Sequence, residues 1–446
     1  MIILLLFAQA LLCLVLLYNE LILKKASNFA TCFFYLVYFV VYIAVPIVLH
    51  VSFGGARSIV SGAMNPFSGE EAYVLFNVCG ITLLLFALLI SILRKPAQLS
   101  EFVRRRSSTY DSCVGFLIVA GYFVFLYSAQ MDFSELLRSS RFSWTSEEPF
   151  LILVGLLSVY LIALTPFYIY RFNISSKGNR MILLSCIAAV VLYGVVTKDR
   201  KWIFYLLSGW LAARYDSSGG RIHVRARHVV FAATLFAILY VTNFARDAVP
   251  RYLLGGDVDL TSELQSWLAD SIQFGDLSYF YRATIEAIHQ NINNNFFVPL
   301  ALMRRIVFFF LPAGYSAGLK IEDISAIFSD LVGGGDSLRR GSMPPGLFGL
   351  FFISFGVAVT IMVMPLLAFF VTWLDKLFRD KKGLFRDVML SFYFACVVYA
   401  FRGDESTAFY LPAVNFLMLL LLQYVTRIKL QARPLRAIDG KDPFLL

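Results

Sequence analysis

Apolar runs of about 20 residues, the length that crosses a bilayer as helix, recur along the chain, separated by short polar segments rich in lysine and arginine. Eleven such runs predict membrane-spanning helices at 2–23, 29–51, 72–93, 112–131, 149–170, 181–197, 202–213, 229–245, 346–373, 388–401 and 407–426. The seventh and tenth are short for a span. The expected fold class is all-α: a polytopic membrane protein of about 11 transmembrane helices. Eight of them fall in an N-terminal bundle over 1–245 and three in 346–446, which ends in a polar tail.

Residues 246–345 interrupt the alternation. A connection of this length between hydrophobic spans is usually functional. It passes Arg246, Asp247, Pro250 and Arg251, then a polar stretch from Asp270 to Asn295 with Asp276, Arg282, Glu286 and His289. The apolar stretch Phe296 to Pro312 follows, interrupted by Arg304 and Arg305. Two arginines at the centre of a spanning helix would be costly. The stretch 296–312 therefore reads as an interfacial or re-entrant segment.

Charge orients the chain. With the N-terminus outside, 24 of the 39 lysines and arginines fall in the inner segments, as the positive-inside rule requires. The long loop then faces outward and the C-terminus is cytoplasmic. The net charge of +10 accordingly reflects topology and contact of the inner segments with anionic headgroups, not nucleic acid. Composition agrees: 59% of residues are hydrophobic and 15% charged, against about 25% charged in soluble proteins. The six cysteines lie in or beside apolar runs and read as small core residues. The apolar N-terminus lacks a basic leader and cleavage site and reads as a first span. Ionisable residues near the midplane and paired broken helices, the marks of many ion-coupled transporters, do not appear.

Candidate chemistry gathers on the outer side. Lys198-Asp199-Arg200-Lys201, Arg339-Arg340-Gly341-Ser342 with Pro344-Pro345-Gly346, and Arg402-Gly403-Asp404-Glu405 each precede a predicted helix start. Free amides and the positive dipole end at such starts favour anions, and arginine grips phosphate oxygens bidentately. Arg200, Lys201, Arg246, Arg251, Arg304, Arg305, Arg339 and Arg340 are the expected diphosphate-binding residues. His289, with Asp276 and Glu286 near it in sequence, is the expected general base; His50 is a weaker candidate. Asp257-Val258-Asp259 reads as a solvated acidic loop. Nucleotide-binding, serine-hydrolase and zinc motifs are not found, so neither a metal nor another cofactor is expected.

From Leu300 onward a family pattern emerges. Arg304-Arg305-Ile306, Phe310-Leu311-Pro312, Ile324 to Phe328, Gly333-Gly334-Gly335 and Arg339-Arg340 lead into Ser342-Met343-Pro344-Pro345-Gly346-Leu347-Phe348-Gly349 and Phe352-Ile353-Ser354-Phe355-Gly356. This resembles the Wzy-type O-antigen polymerases of bacterial envelopes, most closely over 300–374. Lys198 to Lys201 is similar to the basic turn of these enzymes and of the O-antigen ligases. The resemblance implies a class C glycosyltransferase of the bacterial inner membrane with a large periplasmic loop. It also implies an undecaprenyl-diphosphate-linked donor and acceptor, a chain-length regulator as partner, and polymerisation of lipid-linked repeat units. Two alternatives stand beside it: a ligase transferring glycan to the lipid A core, and a polysaccharide flippase.

Overall fold

The computed structural model describes residues 1–24, 28–53, 70–94, 109–129, 149–174, 179–197, 201–220, 276–293, 296–308, 324–333, 344–380, 383–404 and 406–431. Every regular element among them is a helix. In chain order they are α1 (Ile2–Leu23), α2 (Phe29–Ser52) and α3 (Glu70–Leu93), then α4 (Thr109–Ala129), α5 (Pro149–Ile162) and α6 (Thr165–Ile174). Next come α7 (Arg180–Thr197), α8 (Lys201–Ser217), α9 (Asp276–Asn293), α10 (Ala301–Phe308) and α11 (Ile324–Gly333). The last three are α12 (Leu347–Asp380), α13 (Leu384–Arg402) and α14 (Leu411–Gln431).

Among the described residues, eight helical segments are long and apolar enough to span a bilayer, α5 and α6 forming one of them between Leu153 and Ile174. The chain is an all-α, multi-pass membrane protein. The expected span at 229–245 lies outside the described residues. The two short expected spans form longer helices than read, α8 and α13, but α8 and the preceding α7 are not among those eight.

On the outer helix α1 the residue distribution is inverted relative to a soluble protein. On α1, Leu4 is 74% and Leu11 65% exposed, whereas Gln9 is fully buried. Its amide nitrogen donates to Asn77 Oδ1 on α3 at 2.7 Å, and its oxygen accepts the Tyr38 hydroxyl of α2. Leucine gains nothing by leaving lipid, so a polar group is better used between helices. Gly80 makes the contact possible, because a β-carbon there would overlap both Gln9 and Tyr38.

Two cores result. One gathers α1, α2, α3, α9 and α12; the other gathers α4 to α7 with part of α14. Helix α13 belongs to both. Leu390, Tyr393, Val397 and Phe401, spaced by three and four residues, face the first. Val388 and Phe392 face the second, as a 3.6-residue period dictates.

The end of the bundle opposite Gly346 and Gly403 is tied by buried and half-buried charges. Arg171 on α6 bonds Asp111 on α4 at 3.0 Å and Asp387 on α13 at 3.2 Å. Arg386 reaches Asp216 on α8, the Tyr170 hydroxyl at 2.6 Å and the Phe378 carbonyl of α12 at 3.0 Å. Nearby, Asp375 on α12 accepts the Ala30 amide at the start of α2 at 2.6 Å and pairs with Arg94 at 3.2 Å. It thus caps that helix from another element, a carboxylate at the positive dipole end. Arg94, Arg171 and Arg386, expected to contact headgroups, are folded into ion pairs instead. Low dielectric strengthens each pairing once the charges are enclosed.

Candidate functional site

The opposite end holds the sequence-predicted candidates. Helix α9 carries the polar stretch, and it is sheathed by protein: Arg282, Thr284 and Glu286 are all buried, against α3 and α12. Glu286 accepts the Gln290 side-chain amide at 2.9 Å. His289, one turn on and half-buried, receives the Asn293 side-chain amide at 2.8 Å on Nδ1. Asp276 opens the same helix, 13 residues earlier, which is about 20 Å along the axis at 1.5 Å per residue. Glu286 and His289 are therefore neighbours, and Asp276 is not part of their group.

His50 at the end of α2 pairs with α9 by another route. Its Nε2 lies 3.2 Å from the Tyr281 hydroxyl, and Tyr73 packs edge-on against its ring at 5.1 Å. Burial, with a smaller contribution from the Tyr73 phenol, holds the Tyr281 phenol well above its ordinary range, so its proton is retained.

The helix entrances differ from expectation. Pro344-Pro345-Gly346 does lead into α12, but the first two amides of that start are already engaged. The Leu347 amide donates to the Tyr42 hydroxyl at 2.9 Å, and the Gly346 amide to the Arg402 carbonyl at 3.0 Å. Tyr42 also lies 3.0 Å from Thr284 Oγ1 of α9. A protein oxygen occupies the place where an anion was expected. Arg402, in turn, ends α13, and Gly403 follows in the left-handed conformation. Asp404 then caps the following π-helical turn, Ser406–Tyr410, accepting the Thr407 amide at 3.1 Å. Arg402 is thus a C-terminal residue complementing a negative dipole end, and its neighbour already supplies the anion to the next helix.

Two of the candidate cations lie over aromatic rings. Lys201 opens α8 with its Nζ 5.8 Å from the Tyr399 ring centre. Arg305 on α10 holds its guanidinium 5.4 Å from the Tyr410 ring centre. Both distances are those of cation–π contact. Tyr399 and Tyr410 bracket the turn that contains Arg402. Cations from α8 and α10, far apart in sequence, therefore rest on rings that flank the end of α13. Arg304, half-buried, lies beside Arg305. Arg200, Arg246, Arg251, Arg339 and Arg340 lie outside the described residues, as does Asp257-Val258-Asp259.

Helix α10 is brought there by a break in α12. Gly356 adopts φ 70° and ψ −178°, a region essentially restricted to glycine, and divides α12 into two rods. The break frees carbonyls in the preceding turn. The Val298 amide takes the Ile353 carbonyl and the Leu300 amide the Ser354 carbonyl, each at 2.9 Å. The Leu302 amide takes Ser354 Oγ at 3.1 Å. Met303 and Val307 are exposed on one face of α10 while Arg305 turns to Tyr410. Sequence reasoning overlooked Tyr42, whose signal was a phenol inside an apolar run one turn from Tyr38. It also placed Gly356 in the family pattern without reading a break.

Comparison with known proteins adds no relative: no family model, no curated protein and no solved structure matches the chain.

Proposed function

We propose that the protein is a membrane glycosyltransferase that polymerises undecaprenyl-diphosphate-linked repeat units on the periplasmic face of the bacterial inner membrane. The observation that supports it is that Lys201 and Arg305 lie over Tyr399 and Tyr410, the rings on either side of the turn after α13. In this reading the N-terminus is periplasmic and the C-terminus cytoplasmic. An acceptor hydroxyl oxygen attacks the anomeric carbon of the donor glycan. The bond from that carbon to the diphosphate oxygen breaks, and the lipid diphosphate leaves with the electron pair. Lys201, Arg305 and the neighbouring Arg304 stabilise the growing negative charge, an electrostatic role that preorganised cations perform best in a dry site. His289 or Glu286 accepts the hydroxyl proton.

The test is complementation of a polymer-deficient strain with Lys201→Ala and Arg305→Ala at matched membrane levels, scored by lipopolysaccharide laddering. Collapse to core plus one repeat supports polymerisation. Loss of all attached repeats with accumulation of lipid-linked polymer assigns ligation instead. Lipid-linked single units trapped on the inner face assign flipping. Full ladders from both variants sink the cationic-turn reading.

A further inference from the structure

At the far end of the bundle from that turn, polar atoms without protein partners collect around Asp375. Asn28 Oδ1, the Tyr35 hydroxyl and the Tyr215 hydroxyl have no hydrogen-bond partner among the described residues. Their residues are at most 2% exposed. Arg94 Nη2 is in the same position, although Arg94 Nη1 pairs with Asp375. Most buried polar groups in folded proteins are hydrogen-bonded, and each exception calls for a cause. Here the exceptions cluster.

Several contacts place them together. Thr31 bonds Asp375 through its hydroxyl, and Tyr35 stands one helical turn further on the same face of α2. Both Asp375 and Glu20 act on the Tyr35 phenol electrostatically, and Asp375 acts on that of Tyr215. Tyr215 stacks at 4.9 Å on Phe29, whose neighbour Ala30 donates to Asp375. Asn28 gives its side-chain amide to Glu20, leaving its oxygen over. Glu20 in turn holds Lys24 at 2.9 Å.

We propose that these residues enclose an internal water cluster between α1, α2, α8 and α12. Each carboxylate here has its own cation, Glu20 with Lys24 and Asp375 with Arg94, so the site favours a neutral polar occupant over an ion. The loose atoms include an amide oxygen that only accepts, a guanidinium nitrogen that only donates and two phenols that do both. Water matches that mixture and needs two to four such partners. The cluster carries polar surroundings along α2 from its capped start to Tyr35.

Hydroxyl-radical footprinting of the full chain in nanodiscs tests the idea, because radicals made from bound water label adjacent phenols. Tyr38 is the internal control, as buried as Tyr35 but bonded to Gln9. Tyr35 and Tyr215 should label severalfold faster than Tyr38. Thermal unfolding gives a second reading. Tyr35→Phe and Tyr215→Phe should each lower Tm, and together by less than their sum, because they share waters. Labelling of both as slow as Tyr38 overturns the proposal, as does a Tm that is unchanged or raised in either variant. Protection of both phenols when choline chloride is replaced by sodium or potassium chloride would overturn it in favour of a bound cation.

Discussion

A β-carbon on Gly403 would lie 2.9 Å from both the Cα and the carbonyl oxygen of Gly346, so the end of α13 and the start of α12 touch backbone to backbone. Both glycines have positive φ, 83° and 76°. Gly346 is itself enclosed, with the Phe280 carbonyl 2.8 Å from its missing β-carbon. Gly403→Ala and Gly346→Ala should each destabilise the protein by at least ~1–2 kcal/mol from left-handed backbone strain alone. Overlap adds to that. Thermal unfolding in detergent checks it, and an unchanged Tm in either variant would disprove the contact.

Tyr42→Phe removes the oxygen that receives the Leu347 amide. The ring stays packed against Phe76 and Phe401, so the loss isolates the hydroxyl. Leaving a buried amide unpaired should cost about 1–3 kcal/mol, read as a lower unfolding midpoint with the bundle intact by circular dichroism.

Gly356→Ala confronts the break in α12. Alanine can avoid the strain only by letting the helix run through, which would withdraw the carbonyls that Val298 and Leu300 use. The expected loss is about 1–3 kcal/mol. Amide hydrogen exchange should quicken at Val298 and Leu300 before it does in the second rod. Unchanged protection there would refute the coupling.

Arg386→Met leaves the half-buried Asp216 without its arginine and Asp387 with Arg171 alone. Breaking one side of such a network should cost about 3–5 kcal/mol, seen as poor recovery of folded protein. Asp216→Asn in the same chain should restore part of it, since one stranded charge is then neutral.

Arg305→Ala should lower polymerisation by about 10²–10³-fold, if the loss resembles that of one preorganised donor at a developing anion. Turnover of a purified lipid-diphosphate substrate would measure it. A variant with normal turnover would leave Arg305 a packing residue over Tyr410.

The spans were legible because hydrocarbon demands long apolar runs whatever the tertiary contacts. Lys201 and Arg305 could be suspected singly, as cations beside apolar segments, but the rings they rest on could not be read. Those rings lie about 200 residues beyond the first and 100 beyond the second. The ion pairs at the other end were illegible for the same reason: Arg386 and Asp216 are 170 residues apart, and an arginine beside a span looks alike whether it meets a headgroup or a buried carboxylate. The misread helix starts have a different cause. A free amide at a helix start attracts any oxygen, and the sequence does not say whether phosphate, tyrosine or a carbonyl will arrive first.

Helix α13 joins the two cores and the two ends at once. Its 19 residues make a stiff strut of about 28 Å, locked near its first turn by Arg386 and pressed at its last against Gly346. A tilt that opens the cationic turn must therefore pull on the Arg386 clasp, and a disturbance of the clasp must be felt at the turn. The two faces of the membrane are mechanically one object along this rod.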